Sequence, residues 1–161
     1  MEKYSVLMSL YKKEHPEYLR LALDSMINQT VMPDEIVLVE DGPLTDELYK
    51  VIQEYKDNYP ELLHVVVNKK NLGLGLALNV GLKACRNEFV ARMDTDDISK
   101  PNRCEKQLQR FAKKPKLSIV GSHIDEFVGD PSNVVSQRRV PTTSRAIYEY
   151  AKKRSAFNHP A

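Results

Sequence analysis

Apolar positions recur along this chain with two alternating periods. "YSVLMSL" (Tyr4–Leu10) is a short apolar run and predicts a first strand. In "EYLRLALDSMINQ" (Glu17–Gln29), Leu19, Ala22, Leu23, Met26 and Ile27 fall at helical spacing. Pro16 stands just before them, where a first helical turn tolerates its missing N–H. "EIVLVE" (Glu35–Glu40) reads as a buried strand. "TDELYKVIQEYKDN" (Thr45–Asn58) opens on a cap-like Thr45 and carries a Leu48–Val51–Ile52–Tyr55 stripe, the pattern of a helix. "LLHVVVN" (Leu62–Asn68) predicts a third strand. Leu74–Cys85 predicts a helix weakened by Gly75 and Gly81, and "EFVARM" (Glu88–Met93) a fourth strand. Ser99 and Pro101 open a further helix reaching about Lys114, and Leu117–Gly129 is strand-like. The polar, turn-rich Gly129–Arg145 predicts an irregular segment or hairpin before a last helix over Thr143–Ser155.

Strands alternating with helices of this length imply βαβ crossovers and a mainly parallel sheet flanked by helices. In such a sheet the carboxyl ends of the strands carry the ligand site. The end of the second strand holds Glu40 and Asp41, and the end of the fourth holds Asp94, Asp96 and Asp97. Ser9 and Tyr11 follow the first strand to the same edge.

Composition narrows the class only modestly. A chain of 161 residues is most simply one domain with a real core, and a net charge of +2 argues neither for nor against an acidic partner. No run of apolar residues is long enough for a membrane span, and the apolar run near the N-terminus is too short for a signal peptide. Cys85 and Cys104 lack metal-ligand spacing and read as reduced thiols of a cytosolic protein, while four scattered histidines argue against zinc.

The acidic edge is where chemistry concentrates. Asp94 and Asp96 lie two apart just past a strand, where alternation points both side chains the same way. Carboxylate oxygens of this kind suit a hard divalent cation, Mg²⁺ or Mn²⁺, which takes one or two carboxylates and fills its shell with water and phosphates. The plainer reading is a turn whose Asp side chains cap the next helix, and Asp97 suits that role best. "VEDG" (Val39–Gly42) is weaker: Asp41 offers an acceptor to a ribose or base, or simply shapes a turn. Gly73-x-Gly75 does not make a dinucleotide fingerprint, because Leu78 holds the third glycine position and the motif follows the third strand. Neither a phosphate-binding Gly-x-x-x-x-Gly-Lys loop nor a nucleophile elbow is present.

These residues resemble the family 2 glycosyltransferases, inverting enzymes with the Rossmann-like GT-A nucleotide-sugar fold. "YSVLMSLYKKE" is similar to the family's opening strand and its Tyr-containing turn, and "PDEIVLVEDG" to its second strand. "NLGLGLALNVGLKACRNEFVARMDTDD" resembles its Asn-x-Gly helix running into the Asp-x-Asp strand and is the most specific block; "FNHPA" resembles a segment near the start of the acceptor half. The resemblance covers essentially the whole chain. It implies residues 1–115 as the nucleotide-sugar-binding part and 116–161 as an incomplete start of the acceptor-binding part. The apolar, uncapped ending also reads as a fragment of something longer.

By the same resemblance, Asp41 hydrogen-bonds the base, Ser9 and Tyr11 line the base pocket, and Asn71, Gly73 and Asn79 lie near the nucleotide. Asp94 sits by the ribose or metal, and Asp96 binds the metal at the diphosphate. The donor is a nucleotide sugar, most simply UDP-linked, and the acceptor a saccharide or a lipid-linked sugar in cell-surface polysaccharide synthesis; nucleic acid is not a partner. The setting is the cytoplasm, with peripheral contact at the inner face of the membrane for a full-length protein. Inversion requires a general base opposite the leaving diphosphate, and no residue matches the family's base; Asp125 and Glu126 are weak candidates. Lys12 replaces an Asn usual after the turn's Tyr, and Leu78 replaces a basic residue before Asn79, which weakens phosphate contacts from that helix. His159 resembles an acceptor-side position. Two other classes remain: a non-catalytic nucleotide-sugar-binding fragment, and a sugar-phosphate nucleotidyltransferase, for which "SLYKKEHP" lacks the Gly-rich basic loop.

Overall fold

A computed structural model describes residues 2–159; Pro160 and Ala161, the end of "FNHPA", lie outside the described residues. Strands β1 (Tyr4–Leu10), β2 (Glu35–Asp41), β3 (Leu63–Asn68) and β4 (Phe89–Arg92) form one parallel sheet in the order β3-β2-β1-β4. Helices α1 (Pro16–Ile27), α2 (Asp46–Asn58), α3 (Leu74–Ala84) and α4 (Arg103–Lys113) alternate with them. An antiparallel hairpin, β5 (Ile124–Phe127) and β6 (Val134–Arg138), and α5 (Ser144–Ala151) follow.

The two faces of the sheet follow from strict alternation. Tyr4, Val6, Met8 and Leu10 of β1 join Ile36 and Leu38 of β2 in the main core, with Leu19 and Leu23 of α1, Leu48 and Ile52 of α2, and Cys104 and Leu108 of α4. Leu7, Val37 and Val39 point the other way and pack on Ala77 of α3. Burial of each such large aliphatic side chain stabilises by about 1.5–3 kcal/mol, so the apolar stripes dictate which helix covers which face. Pro16 is the first residue of α1, and the Thr45 side chain accepts from the Leu48 N–H at 3.4 Å to cap α2.

Far from the acidic edge, Glu35 pins the start of β2. It is fully buried, and its carboxylate accepts from the Ser5 hydroxyl at 2.5 Å, the Arg86 backbone N–H at 2.5 Å and Arg86 Nε at 2.9 Å. The two glycines of α3 differ in role. Gly75 has open space around it, whereas a Cβ on Gly81 would stand 2.4 Å from Leu7 Cδ1 and 2.6 Å from Val39 Cγ2. Gly81→Val is therefore expected to lift α3 off the sheet and cost about 1–3 kcal/mol, the usual range for overpacking. Urea unfolding would show this as a lower midpoint at unchanged slope.

Two expectations change and a third narrows to one of its alternatives. The strand-like segment Leu117–Gly129 contains a strand only over Ile124–Phe127, because its stable pairing is local, with β6 across a turn. The helix expected from Ser99 starts at Arg103 instead. Ser99 is spent on the loop: its N–H donates to Ser25 Oγ at 3.0 Å and its hydroxyl accepts from Gln29 Nε2 at 3.2 Å. The tail before α5 resolves as a hairpin.

Candidate functional site

The parallel register brings the expected groups to one edge. Ser9 pairs with Val39 and Leu10 with Glu40, so Asp41 follows directly beside the end of β1. On the other side of β1, the Met93 N–H donates to Leu7 O at 3.0 Å and the Thr95 hydroxyl to Ser9 O at 3.4 Å. These bonds lay the Asp94–Asp97 loop alongside Ser9. The carbonyl of Tyr11 accepts from the Glu14 N–H at 3.1 Å, forming the turn over this edge, and the Tyr11 ring remains partly exposed.

Asp41 is buried and organises the neighbouring loop. Its Oδ1 accepts from Asn68 Nδ2 at 3.0 Å and the Leu72 N–H at 2.8 Å, and its Oδ2 from the Gly73 N–H at 2.9 Å. Asn71 Nδ2 donates to the Asp41 carbonyl at 3.2 Å. A carboxylate offers about four acceptor positions, so one remains. Gly42, with φ +89°, lets this loop close: a Cβ there would meet Asn71 N at 2.6 Å. Gly73, with φ +85°, turns the loop into α3. Glu40 is also buried, and desolvation pushes its carboxyl above the usual range.

The acidic loop holds a tighter group. Asp94, Asp96 and Asp97 present carboxylate oxygens within 4.8 Å of one another, with Asp96 the most exposed. Burial, then the charges of Asp94 and Asp96, raise the Asp97 carboxyl above its ordinary value. Glu14 is raised as well, first by burial and then by Asp96. Like charges gathered this closely are eased by a nearby cation. Arg92 supplies part of it through an ion pair with Asp94. Arg103 Nη2 donates to the Arg92 carbonyl at 2.8 Å. Oxygen donors of this type, with one side open, fit a hard divalent ion. Asp97, expected to shape the turn, follows the turn at Thr95–Asp96 and lies with Asp94 and Asp96 in this group.

Ser9, Tyr11, Asp41, Asn71, Gly73, Asp94 and Asp96 thus share one edge of the sheet. Asn79 stands apart: it is exposed on α3, on the side opposite the sheet-facing Ala77. Asp125 pairs with Lys100 and accepts from Gln137 Nε2 at 2.8 Å. Glu126 pairs with Arg138 and accepts from Ser136. Both are spent within or beside the hairpin, which leaves neither free as a base. His159 is exposed beside Asn158, whose Nδ2 donates to Ser122 O at 2.9 Å. Sequence reasoning missed Arg92 and Glu14. The spacing of Arg92 to Asp94, two apart at a strand end, held a usable signal; Glu14 had none, because only the turn after β1 carries it to the loop.

A family model described as glycosyl transferase family 2 matches residues 5–160. An uncharacterized glycosyltransferase of Haemophilus influenzae is 45% identical over 157 residues, 98% of this chain and 58% of that protein. The amylovoran biosynthesis glycosyltransferase AmsE of Erwinia amylovora is 43% identical over 97% of this chain and 57% of its own length. The UDP-Gal:alpha-D-GlcNAc-diphosphoundecaprenol beta-1,3-galactosyltransferase of Escherichia coli is 40% identical over 99% of this chain and 57% of its own length. The chain therefore spans a little over half the length of these curated relatives. Among solved structures, S. aureus TarS superposes with a TM-score of 0.58 at 28% identity, over 69% of this chain and 20% of that one. The Pyrobaculum calidifontis mannosyltransferase PcManGT, solved with GDP-Man and Mn²⁺, gives 0.59 at 23% identity over 82% of this chain and 37% of that one, and is similar in fold.

Proposed function

Because this chain belongs to glycosyl transferase family 2, we propose that it carries the donor site of a metal-assisted, inverting transferase using a nucleotide-diphospho-sugar, most simply a UDP-sugar. The observation that carries this reading is the convergence of the three loop carboxylates with Ser9 and Asp41 at the carboxyl edge of the sheet. The relatives named for amylovoran synthesis and for a diphosphoundecaprenol-linked acceptor favour a saccharide or lipid-linked acceptor in surface-polysaccharide synthesis. No helix among the described residues is long and apolar enough to cross a membrane; contact with a lipid-linked acceptor at the inner face of the membrane is peripheral in this reading.

Each residue then has a physical task. Ser9 and Tyr11 line the base pocket, and Asp41 offers its remaining acceptor position to a base N–H. Asp41 also holds the Asn68–Gly73 loop, so that Asn71 and Gly73 meet the nucleotide without further ordering cost. Asn79, on the outer side of α3, has the weakest part in this set. Asp96 and Asp94 would hold Mg²⁺ or Mn²⁺, and the ion would stabilise the negative charge that grows on the departing diphosphate. Arg92 keeps Asp94 oriented. A general base on the acceptor side completes the reaction.

A thermal-shift screen tests the donor class. UDP with Mn²⁺ is expected to raise the melting temperature more than GDP, CDP or ADP with Mn²⁺, and EDTA to cancel most of the rise. A ligand at about 100 times its Kd stabilises by about 2.7 kcal/mol, which a melting curve resolves easily. A larger shift with another nucleoside diphosphate would reassign the base, and equal shifts in EDTA would remove the ion from the site.

A further inference from the structure

Between α4, the acidic loop and the β5–β6 hairpin lies a cavity of about 630 Å³. Its walls differ in chemistry. Arg103, Lys106 and Arg110 stand at i, i+3 and i+7 of α4, one helical face, and all three line the cavity. Among the described residues none of the three pairs with a carboxylate. The guanidinium of Arg103 has a buried Nε without an acceptor, and burial lowers its pKa, the signature of a cation short of counter-charge. Lys100, also in the lining, is already neutralised by Asp125. The hairpin contributes apolar side chains, Ile124 and Phe127 of β5 and Val134 of β6, the last two exposed, beside His123 and Asp125. Asp97 of the acidic loop also lines the cavity.

We propose that this cavity binds the diphosphate and the first lipid units of a lipid-linked acceptor, with Arg103, Lys106 and Arg110 on the phosphates and Ile124, Phe127 and Val134 along the chain. The inference rests on the glycosyltransferase reading and adds an acceptor subsite to it. Three cations on one helical face supply charge-assisted donors to phosphate oxygens. The apolar side chains of the hairpin have no use for a free phosphate, but match a ligand that joins a charged head to a hydrocarbon tail. The shared boundary at Asp97 puts the acceptor sugar, which the diphosphate carries, next to the donor edge.

The test is calorimetry of the 161-residue chain with geranyl diphosphate in EDTA, so that a cation at the acidic loop cannot capture the probe. Binding is expected, and Lys106→Glu/Arg110→Glu is expected to weaken it about tenfold or more, each lost charge-assisted contact being a substantial fraction of that. The same variant should bind UDP with Mn²⁺ as the parent does. Lys106→Ala/Arg110→Ala, on the same exposed positions, repeats the comparison if charge reversal disturbs folding. Inorganic pyrophosphate should bind more weakly than geranyl diphosphate; equal affinity would make this a free-phosphate site and overturn the lipid assignment. No geranyl diphosphate binding, or binding unchanged in both variants, overturns the subsite while UDP binding keeps the donor reading intact. Loss of UDP–Mn²⁺ binding by the parent chain itself would instead sink the donor reading.

Discussion

Asp96→Ala is expected to remove Mn²⁺-dependent UDP binding, weakening it by about 100-fold or more, with little change in thermal stability. Asp96 is the most exposed of the three clustered carboxylates, and no hydrogen bond among the described residues depends on it. Its loss should therefore not loosen the fold. What it does is leave Asp94 as the main ligand, and Asp94 already shares its charge with Arg92. Effects of 10–100-fold follow even from changes to residues that only support a ligand, so a direct ligand should exceed that range. Calorimetry with UDP in Mn²⁺ and then in EDTA separates the outcomes. The parent should lose affinity on chelation, and the variant should bind weakly in both media. Equal, metal-independent binding by the two proteins would end the metal role of this loop.

The largest stability effect is expected at the opposite end of the sheet. Glu35→Ala should cost about 3 kcal/mol, because each hydrogen bond to a charged group is worth about 1.5–3 kcal/mol, and the half-exposed Arg86 regains part of its share from water. Ser5 and the start of the segment leading into β4 lose their anchor together. Acid denaturation carries a second signature. Burial alone would raise the Glu35 carboxyl, but the donors from Ser5 and Arg86 outweigh it and hold the carboxyl below its ordinary value. A carboxyl lowered in the folded state contributes stability that is complete above the unfolded value of about 4.3 and fades as pH falls through the folded one. Asp97, Glu14 and Glu40 are shifted the other way, so their protonation favours the folded state as pH falls through their raised values, above the range in which the Glu35 contribution fades. Glu35→Gln should thus flatten the acid limb of a melting-temperature profile below about pH 4.3. An unchanged limb would show that this carboxylate does not govern acid unfolding.

Much of this was legible in residue order because the underlying interactions are short in sequence. The 3.6-residue stripe Leu48–Val51–Ile52–Tyr55 and the alternation through Tyr4–Leu10 name their own buried faces, and β1, α1, α2 and β3 lie within about two residues of where the pattern puts them. The segment Leu117–Gly129 misled because an apolar run shows that something is buried but not what it pairs with; β5 pairs across a local turn, so only its last part is a strand. The start of α4 misled for a related reason. Ser99 has a capping side chain, but Ser25 and Gln29, some seventy residues away, claim it first.

At the site the division is sharper. The sequence by itself determined that acidic residues end two strands, and the parallel topology it implies sends both ends to one edge. Only the tertiary structure decided what each carboxylate does. Asp41 became the organiser of the loop before α3, because Leu72 and Gly73 turn their N–H groups toward it. Asp97 joined Asp94 and Asp96, Asp125 was taken by Lys100, and Glu14 arrived from a distant turn. The physical reason is range. Hydrophobic periodicity is written within a single element, whereas the state of a charge depends on whichever donors and charges folding brings within a few ångströms of it.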